Sequence, residues 1–287
     1  MTKTQRTVRI LAPAVLIAVG LLLSMAWAAP PAAPKFLELG KGPTIVLVHE
    51  LGGNRMTWMP TAKKLIGRYH VVLVDLPGHA GNPLPDPFSL ETSAEALDLV
   101  LARQSPDSTV IVGKGLGGLL SLMALKAHPT HARGLVLIET GLKSPLPVSD
   151  QRIKYFQEAL DENYDEMMKM IYPRLGRDSL QGMAIHAMVM QVPPQTMKAY
   201  WSALLTADAS SAMKSLQTPY LFVGTDRLFK QGQAAGAALR SLGYEDTSAV
   251  PVRRIANAGY MVMQDQPDTL AAVIADFAAR TLAAKKK

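Results

Sequence analysis

The chain of 287 residues contains no cysteine, so disulfide bonds, thiolate metal sites and a cysteine nucleophile are all excluded. Aromatic residues make up only 6% of the chain and charged residues 18%, whereas 48% of the residues are hydrophobic. A chain of this length and hydrophobic content can bury a large core, which argues against disorder.

Basic residues exceed acidic residues by 30 to 23, and this excess lies at the two ends of the chain. The N-terminal 28 residues contain three cations and no acid, and the chain ends in Lys285, Lys286 and Lys287. The sequence between them is nearly neutral, which argues against a nucleic-acid partner because such a partner requires a basic surface on the folded domain. We expect residues 285–287 to form a solvated basic tail.

The N-terminus has the pattern of a secretory signal peptide over residues 1–28. A basic segment ending at Arg9 precedes an apolar run, Ile10 to Ala29, and the small residues Ala26 and Ala28 mark a cleavage site before Pro30. This pattern predicts a secreted or periplasmic protein. The alternative is an uncleaved membrane anchor over residues 10–29, because about 20 apolar residues can span a bilayer.

The remaining sequence alternates between short β-rich runs and helix-length segments. The predicted strands are Phe36 to Leu39, Thr44 to Val48, Val71 to Asp75, Thr109 to Gly113, Leu135 to Glu139, Tyr220 to Gly224 and Val252 to Ile255. The predicted helices are Met56 to Gly67, Leu90 to Gln104, Leu116 to His128, Gln231 to Leu242 and Pro267 to Ala284. Continuous Val, Ile and Leu runs are typical of strands buried on both faces, so the rhythm predicts a doubly wound, mostly parallel α/β sheet.

Glycine-rich and polar segments follow four of the predicted strands. They are His49 to Gly53, Asp75 to Asn82, Gly113 to Gly118, and Gly224 to Asp226. In this order they resemble the α/β-hydrolase superfamily, particularly its lidded esterase, epoxide hydrolase and dehalogenase-like branch. The resemblance covers nearly all of residues 36–284, and it implies an α/β-hydrolase fold with ligands bound at the carboxyl ends of the strands.

The resemblance also implies a division of the chain into a core and a lid. The core is expected over residues 29–142 and 214–284, with a helical lid inserted over residues 143–213. Eight of the 15 methionines lie in this insertion. They suit either gap-filling in a small helical core or an adaptable surface over an apolar ligand.

Two positions depart from the superfamily's catalytic triad. The nucleophile of the G-x-S-x-G turn is replaced by Gly115, which has no side chain to attack a carbonyl. The position of the catalytic histidine is taken by Tyr260, and a phenol with a pKa near about 10 is a poor general base. We expect Tyr260 to fill the vacated space with its hydroxyl bonded to a polar neighbour. The acid position remains at Asp226, with Glu139 as the alternative acid.

The sequence keeps the superfamily's oxyanion-hole segments better than its catalytic triad. It implies backbone N–H donors at Leu51 and Leu116, flanked by Glu50 and Lys114. His49 and His79 follow strands and are further candidates for ligand binding. The Gly113 to Gly118 run also matches a dinucleotide-binding fingerprint, but a Rossmann domain places that motif after its first strand.

The sequence leaves two functions open. The first, favoured by the substituted triad, is an exported α/β-hydrolase-fold protein that has lost Ser-dependent hydrolysis and binds a small apolar ligand or a protein partner. The alternative is an active hydrolase or a cofactor-free enzyme in which His79, Glu50 or Asp226 activates water. We expect no cofactor and no metal site, because the histidines lack a spacing such as H-x-x-x-H.

Overall fold

The computed structural model describes residues 32–144, 149–230 and 234–284. The predicted signal peptide and basic tail lie outside these residues, so cleavage, export and membrane anchoring stay predictions. Within the described ranges, every helix is too short or too polar to cross a bilayer.

Seven strands form one sheet in the order β1-β3-β2-β4-β5-β6-β7. They are β1 (Phe36–Leu39), β2 (Thr44–Val48), β3 (His70–Val74), β4 (Thr109–Lys114), β5 (Gly134–Ile138), β6 (Tyr220–Thr225) and β7 (Val252–Ile255). β1 pairs antiparallel with β3, and every other pairing in this sheet is parallel. The predicted strands therefore match within one residue at each end, and the predicted mostly parallel α/β sheet is confirmed.

Helices cover both faces of the sheet and one end of it. They are α1 (Met59–Leu65), α2 (Leu90–Leu101), α3 (Leu116–Ala127), α4 (Asp150–Glu162), α5 (Tyr164–Ile171), α6 (Ser179–Val189), α7 (Pro194–Thr206), α8 (Ser210–Ser215), α9 (Ala235–Ser241), α10 (Val262–Asp265) and α11 (Pro267–Ala283). Helices α4 to α8 lie between β5 and β6, within the stretch for which the sequence predicts a lid; the lid's bounds stay a prediction.

Local sequence signals set where these helices begin. Ser89 and Thr92 form a capping box at the start of α2, with Ser89 Oγ accepting from Thr92 N at 3.0 Å and Thr92 Oγ1 accepting from Ser89 N at 2.9 Å. Pro267 occupies the first position of α11, where its missing N–H costs no helical hydrogen bond. The predicted helix over Gln231 to Leu242 is shorter than expected in the described part, because Ala235 is its first helical residue.

The core follows directly from the strand sequences. Every residue of β2, β4 and β5 is buried, as expected for Val- and Ile-rich strands covered by helices on both faces. β2 lies next to β4, with Val48 opposite Gly113, so the loops that follow these two strands emerge side by side. This juxtaposition builds the site described next.

Candidate active site

Gly115 forms a sharp turn between β4 and α3. Its backbone has φ 51° and ψ −115°, a left-handed conformation that glycine adopts at little cost, and its N–H donates to the Ile138 carbonyl at 3.0 Å. A side chain at this position would point towards Glu50, whose Cβ lies 3.7 Å from where the Cβ of residue 115 would be. The superfamily's strained turn is therefore present, but it presents no nucleophilic atom.

The start of α3 packs directly on the loop after β2. A Cβ on Gly117 would lie 2.4 Å from the His49 carbonyl oxygen and 2.6 Å from that of Val48, distances that real Cβ atoms do not show. Glycine at 117 thus permits a backbone-to-backbone approach. This approach holds the Glu50-containing loop against the Gly115 turn.

In the part of the chain that the structure describes, one backbone N–H group in each of the two loops lacks an acceptor. Among the described residues, no hydrogen-bond acceptor is found for the N–H of Leu51 or for the N–H of Leu116, which opens α3. Both residues have buried side chains. Free donors at a helix start and in the adjoining loop are the arrangement that stabilises an oxyanion in acyl transfer.

His49 and His79 hold the loops and have no nitrogen left for a ligand. His49 Nε2 accepts from Leu76 N at 2.9 Å, and its Nδ1 lies 2.7 Å from the Glu50 carbonyl. His79 Nε2 accepts from Gly52 N at 3.2 Å, and its Nδ1 lies 3.0 Å from the Pro77 carbonyl. Burial lowers the pKa of His79 to about 4, so the ring is neutral. Both rings are thus engaged in loop contacts, and the predicted ligand binding by His49 and His79 and the predicted activation of water by His79 stay predictions.

Glu50 is the isolated carboxyl group of the site. Its side chain is buried, and neither carboxylate oxygen has a hydrogen-bond partner within the described structure. Burial raises the pKa of Glu50, and the positive charge of Lys114 opposes this rise. The loop fixes the residue, because its carbonyl accepts from Gly53 N at 3.0 Å and Oε1 lies 2.8 Å from where a Cβ on Gly53 would be. A buried carboxyl group without a partner is costly for folding and is characteristic of functional sites.

Glu50 belongs to a group of charged and aromatic side chains, which we call the crevice cluster. Its members are Glu50, Lys114, Glu139, Arg227 and Tyr260. Lys114 Nζ lies 3.7 Å from the centre of the Tyr260 ring and 3.9 Å from Glu139 Oε2. Arg227 Nη1 lies 3.7 Å from the same Glu139 oxygen. Burial lowers the pKa of Lys114, while Glu139 and Glu50 oppose that shift.

Tyr260 fills the crevice in a different way from that expected. Its ring packs under Lys114 as a cation–π contact. Within the described residues, its hydroxyl forms no hydrogen bond, so the expected polar partner is not found. Burial, followed by the charge of Glu50, raises the pKa of Tyr260 well above that of a free phenol. The phenol stays protonated at neutral pH and cannot act as a base.

Asp265 anchors the loop that carries Tyr260 and was missed by sequence reasoning. Asp265 Oδ2 accepts from Gly259 N at 2.8 Å, and Oδ1 accepts from Gln181 Nε2 at 2.7 Å. Arg177 lies 3.2 Å from the same Oδ1. Gln181 lies in the first turn of α6 and Arg177 lies just before that helix, so this buried carboxylate ties the Tyr260 loop to the start of α6. Asp265 lies 84 positions after Gln181 in the sequence, so no sequence spacing predicts this contact.

The two acid positions are already committed to neighbours. Asp226 accepts from Arg254 Nε at 2.9 Å, from Arg254 Nη2 at 2.7 Å and from Asn257 N at 2.7 Å. The hydrogen bonds from Arg254 hold the pKa of Asp226 below its usual value, which makes it a weaker base than a free carboxylate. Its expected role in activating water stays a prediction. Glu139 Oε1 accepts from the hydroxyl and the N–H of Thr225.

No serine–histidine or threonine–histidine pair replaces the missing nucleophile and base in the crevice as described. The one hydroxyl–imidazole contact among the described residues joins Thr44 Oγ1 to His70 Nδ1 at 3.3 Å. Both residues begin their strands, β2 and β3, whereas Gly115 follows the end of β4. This pair therefore lies at the other end of the sheet.

The sequence profile of the alpha/beta hydrolase family matches residues 45–273. The chain belongs to this family. It is 30% identical over 206 residues to a pimeloyl-[acyl-carrier protein] methyl ester esterase of Chromobacterium violaceum, covering 66% of this chain and 78% of that protein. A protein of the same name from Pseudoalteromonas atlantica is 38% identical over 111 residues, covering 38% of this chain and only 42% of the relative's length.

Solved structures agree on the fold. A hydrolase from Oleispira antarctica superposes with a TM-score of 0.71 at 15% identity, covering 86% of this chain and 94% of that one. The function expected first from the sequence, a protein that has lost hydrolysis and only binds a ligand or partner, is contradicted by the esterase relatives. That expectation rested on Gly115 and Tyr260 alone, and it gave too little weight to Glu50.

Proposed function

We propose that the protein hydrolyses carboxylic esters by direct attack of water, with Glu50 as the general base. The observation that carries this proposal is the Glu50 carboxyl group, which is buried, lacks a hydrogen-bond partner and adjoins the Gly115 turn. The proposal keeps the reaction class of the esterase relatives and replaces their route, because residue 115 offers no atom that could form an acyl-enzyme.

The steps use groups of the chain itself. Glu50 takes a proton from water as the water oxygen bonds to the ester carbonyl carbon. The carbonyl oxygen becomes an oxyanion, which the N–H groups of Leu51 and Leu116 stabilise. The tetrahedral intermediate then collapses, the bond to the alkoxide breaks, and Glu50 returns the proton to the leaving alcohol. The products are a carboxylic acid and an alcohol, and Glu50 is regenerated.

The crevice cluster suits Glu50 to this role. Burial raises the pKa of Glu50 and so makes its carboxylate a stronger base than an exposed one, while the positive charge of Lys114 opposes the rise. The other candidates, His79 and Asp226, have their acceptor atoms occupied by loop N–H groups and by Arg254.

We propose methyl esters of carboxylic acids as the substrate class, because the relatives are named methyl ester esterases. A cavity of about 280 Å³ has Gly53, Arg55, Met188 and Val192 in its lining. This cavity reaches Gly53, which contacts the Glu50 carboxyl group, and its mixed lining suits a short acyl chain with a polar end.

The experiment compares wild type with Glu50→Gln on methyl and aryl esters of increasing acyl length. A positioned general base contributes about 10²- to 10⁴-fold, so we expect Glu50→Gln to lower kcat/KM by that factor. The control is Glu158→Gln, because Glu158 lies on the exposed face of α4 and pairs there with Lys154. The control should match wild type.

The pH profile provides a second readout. Since Glu50 must be ionised and its pKa is raised, kcat/KM should rise with pH through that raised value and then level off. Turnover that is unchanged in Glu50→Gln, or that never exceeds buffer in wild type on any ester, would contradict the proposal.

A further inference from the structure

Three side chains that can bind metal ions converge at the end of the sheet remote from the Gly115 turn. Asp98 comes from α2, His128 follows the last residue of α3, and His131 lies in the loop before β5. One donor atom from each residue lies within 4.8 Å of the other two. None of the three takes part in the proposed hydrolysis.

The Asp98 carboxylate lies beside a nitrogen of each imidazole. Its Oδ1 lies 2.7 Å from His131 Nδ1, and its Oδ2 lies 3.6 Å from His128 Nε2. The two rings stack with centroids 4.9 Å apart and planes 9° from parallel. Their donor nitrogens therefore point at the same carboxylate rather than in unrelated directions.

The backbone fixes this arrangement. His128 N donates to the Ala124 carbonyl at 2.9 Å, and His131 N donates to the His128 carbonyl at 3.1 Å, which closes a turn with Pro129 at its second position. Asp98 is largely buried on a helix that packs against α3, whereas His128 is exposed. The donors are thus held by folded elements and remain reachable by ions from solvent.

We infer that Asp98, His128 and His131 bind a divalent transition metal ion, with Zn²⁺ the best match. Two imidazole nitrogens and one carboxylate oxygen form a three-ligand set of the kind that zinc accepts, leaving one position for water. Ligand atoms of a tetrahedral zinc with bonds of about 2.0–2.1 Å lie about 3.3 Å apart. The 2.7 Å from His131 Nδ1 runs to Oδ1 of Asp98 and the 3.6 Å from His128 Nε2 runs to Oδ2, and one donor atom of each residue lies within 4.8 Å of the other two. Side-chain rotations must therefore bring the three donors closer to reach the zinc spacing.

The ion would clamp α2 to the turn after α3. It would replace the hydrogen bond between Asp98 and His131 by two coordinate bonds to the same metal, and it would add His128 to the link. This role is separate from ester hydrolysis, because the donors lie near the amino ends of the strands and the Gly115 turn lies at a carboxyl end. The expectation from the sequence of no metal site was based on histidine spacing alone, which cannot include Asp98.

The test is calorimetric titration of the metal-stripped protein with Zn²⁺, beside variants His128→Ala, His131→Ala and Asp98→Asn. Loss of an outer-shell partner alone costs about 10- to 100-fold in metal affinity, so loss of a ligand should weaken binding by on the order of 100-fold or more. The control His70→Ala removes another partly exposed histidine that lies near a carboxylate, and it should bind one Zn²⁺ as wild type does.

Two further measurements distinguish metal binding by these three residues from a contribution of their side chains to the fold alone. Zn²⁺ should raise the Tm of wild type and of His70→Ala, since a ligand that binds the folded state stabilises it, but not that of His131→Ala. Co²⁺ in place of Zn²⁺ should give visible absorption bands of a nitrogen- and oxygen-ligated site that His128→Ala abolishes. The inference is overturned if wild type binds no Zn²⁺, or if the three variants bind it as tightly as wild type does. Ester hydrolysis should be the same with and without Zn²⁺, so this result is independent of the proposed function.

Discussion

Replacement of Lys114 by methionine tests the electrostatic balance of the crevice cluster. Methionine has a similar length and no charge, so Lys114→Met leaves the carboxyl groups of Glu50 and Glu139 without their buried cation. Lys114 is 1% exposed and Glu139 is 5% exposed, so solvent screens their interaction little. Removal of one partner of a buried ion pair costs about 3–5 kcal/mol, and the 3.9 Å separation places this pair near the lower figure.

The loss should depend on pH in a definite direction. Lys114 opposes the raised pKa of Glu50, so its removal raises that pKa further. A carboxyl group whose pKa is raised in the folded state costs no stability below its unfolded value, 4.5, and costs more as the pH rises towards the folded value. We therefore expect Lys114→Met to lose about 3 kcal/mol near pH 8 and clearly less near pH 5.

Urea unfolding of wild type and Lys114→Met at the two pH values measures both the loss of stability and its dependence on pH. The double variant Lys114→Met/Glu50→Gln should recover part of the loss near pH 8, because it removes the uncompensated charge. The control Lys154→Met breaks an exposed pair on α4 and should cost less than about 1 kcal/mol. An equal loss at both pH values, or no recovery in the double variant, would refute the reasoning.

Two further variants test the scaffold of the site. Gly117→Ala should destabilise the protein by about 1–3 kcal/mol in urea unfolding, because the new Cβ would meet the carbonyl oxygens of His49 and Val48 at 2.4 and 2.6 Å. Unchanged stability would mean that the start of α3 does not contact the loop after β2. Asp265→Ala should speed amide hydrogen exchange at Gly259 and its neighbours and cost about 1–3 kcal/mol, because a buried carboxylate with three partners is lost; unchanged exchange would show that the Tyr260 loop is held otherwise.

The sequence was sufficient to predict the sheet. The stretches Ile45–Val48 and Val110–Val112 are apolar throughout, and a strand buried on both faces is the arrangement that satisfies them. The turn at Gly115 could also be located from the glycines around it. The structure shows why glycine is needed there, because a Cβ at Gly113 or Gly117 would collide with neighbouring backbone atoms. Both features depend on short stretches of sequence.

The partners of the site residues could not be predicted, because they come from distant parts of the chain. We expected Tyr260 to form a hydrogen bond through its hydroxyl. Instead, Lys114, which lies 146 positions earlier in the sequence, packs on the face of the Tyr260 ring. The commitment of Asp226 to Arg254 likewise depends on the pairing of β6 with β7. The cluster of Asp98 with His128 and His131 joins two helices that no spacing rule connects.

Intact-mass spectrometry of the protein during turnover of an aryl ester tests the central claim most directly. The account predicts product release without a burst, no acyl adduct on the protein at any time, and full activity after treatment with a serine-directed fluorophosphonate, because water attacks the ester and residue 115 has no hydroxyl. A stoichiometric acyl adduct during turnover, or loss of activity on fluorophosphonate labelling, would contradict it.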